Sequence, residues 1–501
     1  MSSDVETGRI TTDIPARLDR LPWARWHWMV VIGLGTVWIL DGLEVTIVGS
    51  MSEALKPADT GLGLSSSDIG LAGALYVAGA CFGALFFGQL TDRFGRKKLF
   101  LITLGVYTVA TVATAFAPGP LWYFIARTVT GMGIGGEYAA INSAIDELIP
   151  KAHRGRVDVA INGSFWVGAT LGSLLTIPLL NPAVVDPAIG WRLAFGLGGI
   201  LAIGVLLVRR HVPESPRWLF IHGRDEEAEK IVQSIEKTVD EETSGGLPEI
   251  EDEPITIRQR RAISIAEIAR TVFTLYPRRT ILCFSLFVGQ AFLYNAFFFT
   301  YGDSLTTFFG VKQTGWYLAV FAVSNFIGAL LLSRLFDTVG RVRMISGTYI
   351  LSGVLLGIAG VVLGGLNATT LTIFGCVIFF FASAGASAAY LTASEVFPLE
   401  TRALCIAFFY AVGTAVGGIS GPLLFGKLID SASESKDITG LAIGYFIGAA
   451  LMVAGGIVAA FLGVKAEGQS LESIAAPLTA EDADGGGSSD GGRREPAPSS
   501  A

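Results

Sequence analysis

The chain has 501 residues, of which 51% are hydrophobic and only 16% charged, with a formal net charge of −7. Soluble domains carry about 25% charge; here the deficit falls in long apolar runs, which excludes an ordinary soluble domain and indicates one embedded in a membrane. The acidity comes largely from the tail and a central loop, and nothing in it points to nucleic acid.

In chain order, residues 1–27 are polar, lack a cleavable signal pattern and read as a segment outside the membrane. Apolar runs able to cross roughly 30 Å of hydrocarbon then follow, at 28–52, 68–90, 98–117, 120–143, 158–181 and 191–209, which together make a first bundle over 28–209. Residues 210–280 are charged and broken by Pro and Gly. Within them DEEAEKIVQSIEKTV (225–239) has the apolar spacing of an amphipathic helix lying against the membrane domain. Further runs at 281–307, 314–335, 344–365, 369–392, 403–427 and 440–464 make a second bundle over 281–464. From 465 to 501 the composition turns to Gly, Ser, Pro and acid, which predicts a disordered tail. Lys and Arg cluster in 92–98, 151–156, 209–279 and 341–343 and are nearly absent from the alternate loops, so both termini are expected in the cytoplasm.

Two echoes indicate a duplicated unit. GQLTDRFGRKK (88–98) returns as SRLFDTVGRVR (333–343), and ELIPKAHRGR (147–156) as EVFPLETRAL (395–404). The expected fold is all-α: twelve transmembrane helices in two pseudo-symmetric bundles, the arrangement used for alternating access. Cys81, Cys283, Cys376 and Cys405 lie in apolar runs without metal spacing. His27, His153, His211 and His222 fall at helix ends or in loops. No nucleophile–base set and no metal cluster is visible, so neither an enzyme nor a cofactor is expected.

Titration must then rest on carboxylates, and the first apolar run holds two, Asp41 and Glu44, one turn apart at mid-membrane depth. In the fourth run, Arg127, Gly131 and Gly135 form one stripe at i, i+4, i+8. Small residues there let another helix approach, so Arg127 is expected against the first helix, neutralising Asp41. Glu137, about 15 Å further along that helix, reads either as a proton relay or substrate contact, or as part of a helix contact. The second half offers neutral polar groups instead: Gln290, Tyr294, Asn295, Tyr301, Asn325 and Tyr390. Amides both donate and accept, which suits a polyhydroxylated or zwitterionic solute.

The Gly88-x-Leu90-x-Asp92-Arg93-x-Gly95-Arg96-Lys97 segment resembles the signature of the major facilitator superfamily. GWRLAFGLGGI (190–200), PESPRWL (213–219) and a degraded EGQSLESI (467–474) are similar to sugar porters and related metabolite–proton symporters. The resemblance implies a latch at the cytoplasmic face, closing the inner gate, built from Asp92, Arg93, Arg96, Glu147, Arg154, Arg156, Asp337, Arg341, Glu395 and Arg402. It also implies that Asp41 titrates under the control of Arg127, and that GQAFLYNAFFFTY (289–301) uses a Gln-to-Asn spacing to bind hydroxyls. Asn162 and Trp166 on the fifth helix, with Tyr390, would complete the solute site. Departures from the sugar pattern are Asn162, Ala169 and Tyr390. The expected activity is proton-coupled uptake of a small polar solute such as a sugar, by a monomer in the inner membrane. Organic-acid or osmolyte symport, proton-driven export and a non-transporting sensor remain as alternatives.

Overall fold

The computed structural model describes residues 9–64, 66–209, 213–243, 246–250, 254–258, 270–311, 313–398, 401–433 and 437–475. Among the described residues, 11 helices are long and apolar enough to cross a membrane. The helix Pro120–Leu148 supplies a further crossing: its 29 residues have the length, while Arg127, Glu137 and its glycines lower its hydropathy. In chain order, spans 1–6 are Arg25–Ser50, Ser66–Phe94, Arg96–Ala115, Pro120–Leu148, Arg154–Leu179 (broken at Ser164) and Pro187–Arg209. Spans 7–12 are Pro277–Phe309, Thr314–Ser333, Arg341–Val362, Ala368–Glu395, Arg402–Ser433 and Ala442–Leu462. Span 11 is interrupted by a π turn at Thr414–Gly418.

With no hydrophobic drive between helices in lipid, close packing of small residues holds such a bundle. Spans 1 and 5 meet so closely that a Cβ on Gly168 would stand 1.7 Å from the Ile39 carbonyl oxygen. A Cβ on Gly131 or Gly135 would lie 2.1 or 1.9 Å from the carbonyl oxygens of Tyr76 and Ala80. The small-residue stripe of span 4 therefore seats span 2, not span 1 as expected from its register with Arg127. The long arginine side chain still reaches span 1 past this contact.

At the end of the bundle that carries both termini, a small layer of extramembrane elements forms. Strand Arg9–Thr12 pairs antiparallel with Ile255–Arg258, with Ile10 opposite Ile257. The helix Ile14–Asp19 packs beside helices Pro216–Ile221 and Asp225–Glu242. The last of these buries Ala228, Val232, Ile235 and Val239, the face its periodicity foretells. The disorder expected over 465–501 does not hold for its first residues. Ser470 caps a turn over Leu471–Ile474, Leu471 and Ile474 are buried, and Arg279 Nη2 donates to the Ile474 carbonyl at 3.0 Å. Residues 476–501 lie outside the described part.

The sequence duplication is visible as a duplicated cap. Gly95 (φ 97°) and Gly340 (φ 107°) occupy backbone conformations that L side chains rarely adopt, just before spans 3 and 9. Glu214 accepts from the backbone N–H groups of Arg96 (3.0 Å) and Lys97 (3.1 Å). Glu467 accepts from that of Arg341 (3.3 Å). A carboxylate at a helix N-terminus satisfies orphan donors and complements the helix dipole. A Cβ on either glycine would press on the capping acid, at 2.6 Å and 2.8 Å.

Candidate transport pathway

Between the halves lies a cavity of about 160 Å³. Spans 1, 2, 4 and 5 supply Trp38, Tyr76, Tyr138, Asn162 and Trp166; spans 7, 10 and 11 supply Gln290, Tyr294, Asn295, Ser387, Tyr390 and Tyr410. Six of the eight solute-site candidates therefore line one space: Asn162, Trp166, Gln290, Tyr294, Asn295 and Tyr390. Tyr301 and Asn325 do not. Tyr301 is bound to the Thr372 hydroxyl and stacked on Phe297 with ring centroids 4.4 Å apart. Asn325, fully buried, accepts from the Tyr294 hydroxyl at 3.3 Å and so stands behind the wall.

Beyond Trp166, Tyr294 and Tyr390, the sequence reading missed the other aromatic residues of the walls, Trp38, Tyr76, Tyr138 and Tyr410. Trp38 stacks on Tyr138 at 4.6 Å with an interplanar angle of 8°, and Tyr138 meets Tyr410 edge-on at 4.9 Å. Trp166 faces Tyr294 at 5.5 Å. Offset and edge-to-face pairs of this kind add roughly 0.5–1.5 kcal/mol each beyond area burial. The signal lay close to the candidates: Trp38 precedes Asp41 by three residues, and Tyr138 directly follows Glu137. No charged side chain lines the cavity among the described residues.

Asp41, Glu44, Arg127 and Glu137 are all buried, at no more than 2% exposure. The expected Asp41–Arg127 pair is absent. Arg127 is instead ion-paired and hydrogen-bonded to Glu44, its guanidinium 4.7 Å from the Tyr76 ring and 5.6 Å from that of Phe195. Neither carboxylate oxygen of Asp41 has a hydrogen-bond partner. The reason is register: with span 2 seated on the stripe, the guanidinium meets span 1 at Glu44 rather than at Asp41. Asp41 remains a buried acid between Trp38, which lines the cavity, and that ion pair.

The latch candidates gather at the terminus-bearing end. Arg96 pairs with Glu147, which also accepts from the Ser215 hydroxyl. Arg341 grips Glu395 through two bonds of 3.0 Å and Asp337 through one of 2.7 Å. The halves join where the Arg156 backbone N–H donates to Asp337 at 2.7 Å. Beside it the Arg341 guanidinium lies against Gly155, where a Cβ would be 2.2 Å from Nη1. Arg402 is fully buried. Arg154 binds Asp19 at 3.0 Å. Arg93 departs from the expectation: in the last turn of span 2 it is exposed and lies over the Phe94 ring at 5.3 Å. The side chain of Asp92 lies outside the described residues.

A family model described as "Sugar (and other) transporter" matches residues 26–477. A niacin transporter of Acinetobacter baylyi is 29% identical over 474 residues, covering 92% of this chain and 99% of that one. A putative metabolite transport protein of Escherichia coli is 28% identical, with 92% and 96% covered. Among solved structures, a proton:xylose symporter bound to 6-bromo-6-deoxy-D-glucose superposes with a TM-score of 0.70 at 18% identity, covering 89% of this chain and 98% of that one. A partially occluded inward-open xylose transporter from E. coli gives 0.62 at 17%, covering 87% and 97%. Paired bundles around a central cavity agree with these matches: the chain has the fold of these transporters, belongs to the sugar (and other) transporter family, and is a membrane transporter rather than an enzyme.

Proposed function

We propose that the chain takes up a small organic metabolite together with a proton, by alternating access, with its termini in the cytoplasm. The observation that carries this reading is the uncharged cavity between the halves with a buried, unpartnered carboxylate, Asp41, beside it. A carboxylate held away from water without a donor is poorly suited to staying ionised, and gains or loses its proton as water access changes. Glu44 keeps Arg127 neutralised meanwhile, so the cation does not offer itself to the solute.

Within the metabolite class, the walls favour a flat, partly apolar ring over a fully hydroxylated sugar. The rings of Trp38, Phe165, Trp166, Tyr294 and Phe298 line the cavity beside three amides, Asn162, Gln290 and Asn295, and the hydroxyls of Ser383, Ser387 and Thr414. Walls without charge suit a solute that arrives neutral, or an acid that enters with its proton. Niacin, named for the Acinetobacter relative, has such a ring, and xylose does not. The test is uptake of labelled niacin and of labelled xylose into proteoliposomes under an inward proton gradient. Accumulation of niacin that collapses with an uncoupler supports the reading. Accumulation of xylose alone refutes the ring preference, and flux indifferent to the gradient refutes coupling.

A further inference from the structure

The latch described above belongs to the spans and the loops between them. The residues before span 1 form a second structure on top of it. Asp19, 7% exposed, accepts from Arg154 at 3.0 Å and pairs with Arg217 at 3.2 Å. Arg217 in turn reaches Glu472, beyond span 12, at 3.9 Å, and donates weakly to the Pro15 carbonyl at 3.4 Å. Four chain segments thus meet in one buried charge cluster: the N-terminal segment, the start of span 5, the helix after span 6 and the turn after span 12. Burial pushes the Glu472 carboxyl up, but the guanidiniums of Arg217, Arg402 and Arg154 outweigh it and hold it below its ordinary value.

The N-terminal segment also has its own anchors. Arg17 binds Glu229 through two bonds of 2.9 and 2.8 Å and Glu236 through bonds of 3.1 and 2.5 Å. Arg20 adds a bond to Glu236 at 2.7 Å. Trp23 packs edge-on against His153 at 5.3 Å and lies under the Arg156 guanidinium at 5.8 Å. Asp19 and Trp23 therefore touch residues 153, 154 and 156, the same turn whose Arg156 N–H carries the bond to Asp337 across the halves.

We propose that residues 9–23 are a strap over the gate and that Asp19 is its positioning residue, holding the span 5 turn against the second half so that the terminus-bearing side opens only when Asp19 gives up Arg154 or Arg217. The strap acts through the turn and touches no solute. It biases an equilibrium between two arrangements of the halves, and such a bias is set by contacts made in one arrangement only. It stands whether or not the solute and proton assignments above are right.

The test uses the full chain with Ser387→Cys, a cavity position, in vesicles of known sidedness. A membrane-impermeant maleimide is applied from either face and modification at position 387 is read by peptide mass spectrometry. Asp19→Asn, nearly isosteric, removes the charge that gathers both arginines. Labelling from the terminus-bearing side should rise about ten-fold, within the usual range of two-state couplings, while labelling from the opposite side stays level or falls. No change, or an equal rise from both sides as a merely loosened fold would give, overturns the proposal. If Asp19→Asn does not yield folded protein, Glu236→Gln weakens the strap at its outer anchor without touching the cluster. It should give the same one-sided rise to a smaller extent, and its absence overturns the proposal equally.

Discussion

Asp41 and Glu44 sit one turn apart on the same helix, yet neutralising them should have opposite consequences. Glu44→Gln leaves the Arg127 guanidinium, 2% exposed, without its anion. Breaking a buried pair from one side costs about 3–5 kcal/mol, because the remaining charge is stranded. Asp41→Asn replaces a carboxyl group that has no hydrogen-bond partner, so it breaks no bond. Its expected cost is near zero or slightly negative, within about 1 kcal/mol. Purified variants in detergent should therefore melt in the order Glu44→Gln well below wild type, and Asp41→Asn level with it or above. Transport separates them again. Asp41→Asn should lose gradient-driven accumulation of the solute identified in the uptake assay and retain exchange of that solute across the membrane. Equal melting losses for both variants would refute the pairing. Undiminished accumulation by Asp41→Asn would refute its role in coupling.

Gly168→Ala would drive a methyl group to 1.7 Å from the Ile39 carbonyl oxygen, less than half an ordinary contact. Because backbone cannot step aside cheaply, a loss of about 1–3 kcal/mol or more is expected, read as a lower melting temperature together with reduced uptake. Asn325→Ala frees the Tyr294 hydroxyl; at roughly 1 kcal/mol for such a bond, the half-saturating solute concentration should rise about five-fold with the maximal rate kept. At Glu236, burial pushes the carboxyl up, but the hydrogen bonds from Arg17 and Arg20 outweigh it and hold it below its ordinary value of 4.5. A group depressed in the folded state contributes stability above its unfolded value and loses it as pH falls through the folded one. Protection of residues 9–23 from proteolysis should thus be flat from neutrality down to about pH 5 and be lost only as pH falls below the ordinary value of 4.5. Loss already at pH 6 would refute that sign.

Much of this architecture was legible in the sequence because a bilayer admits few solutions. Helices must satisfy their own backbone, so the apolar runs name the spans directly. The duplicated GRKK and GRVR turns foretold Gly95 and Gly340 as paired corners, and the helix at 225–239 came from its period alone. Gln290 and Asn295 both line the cavity, and Tyr294, four residues after Gln290, shares its helix face. Two things were not legible. The partner of Arg127 depends on which helix occupies the glycine stripe, a tertiary choice that spacing does not encode. The docking of Glu467, Leu471 and Ile474 depends on a capping site far back in the chain, while local composition around them reads as linker.

The repeated cap over Gly95 and Gly340 bears on how the molecule is made. Glu214 leaves the ribosome before any of the second bundle, so the first corner can be finished while translation continues. Glu467 emerges only after the last span, so the second corner must wait until every span has been made. The second corner is therefore closed by a keystone made after its spans, and a chain stopped short of Glu467 would insert every helix yet leave one corner of its second half unsealed.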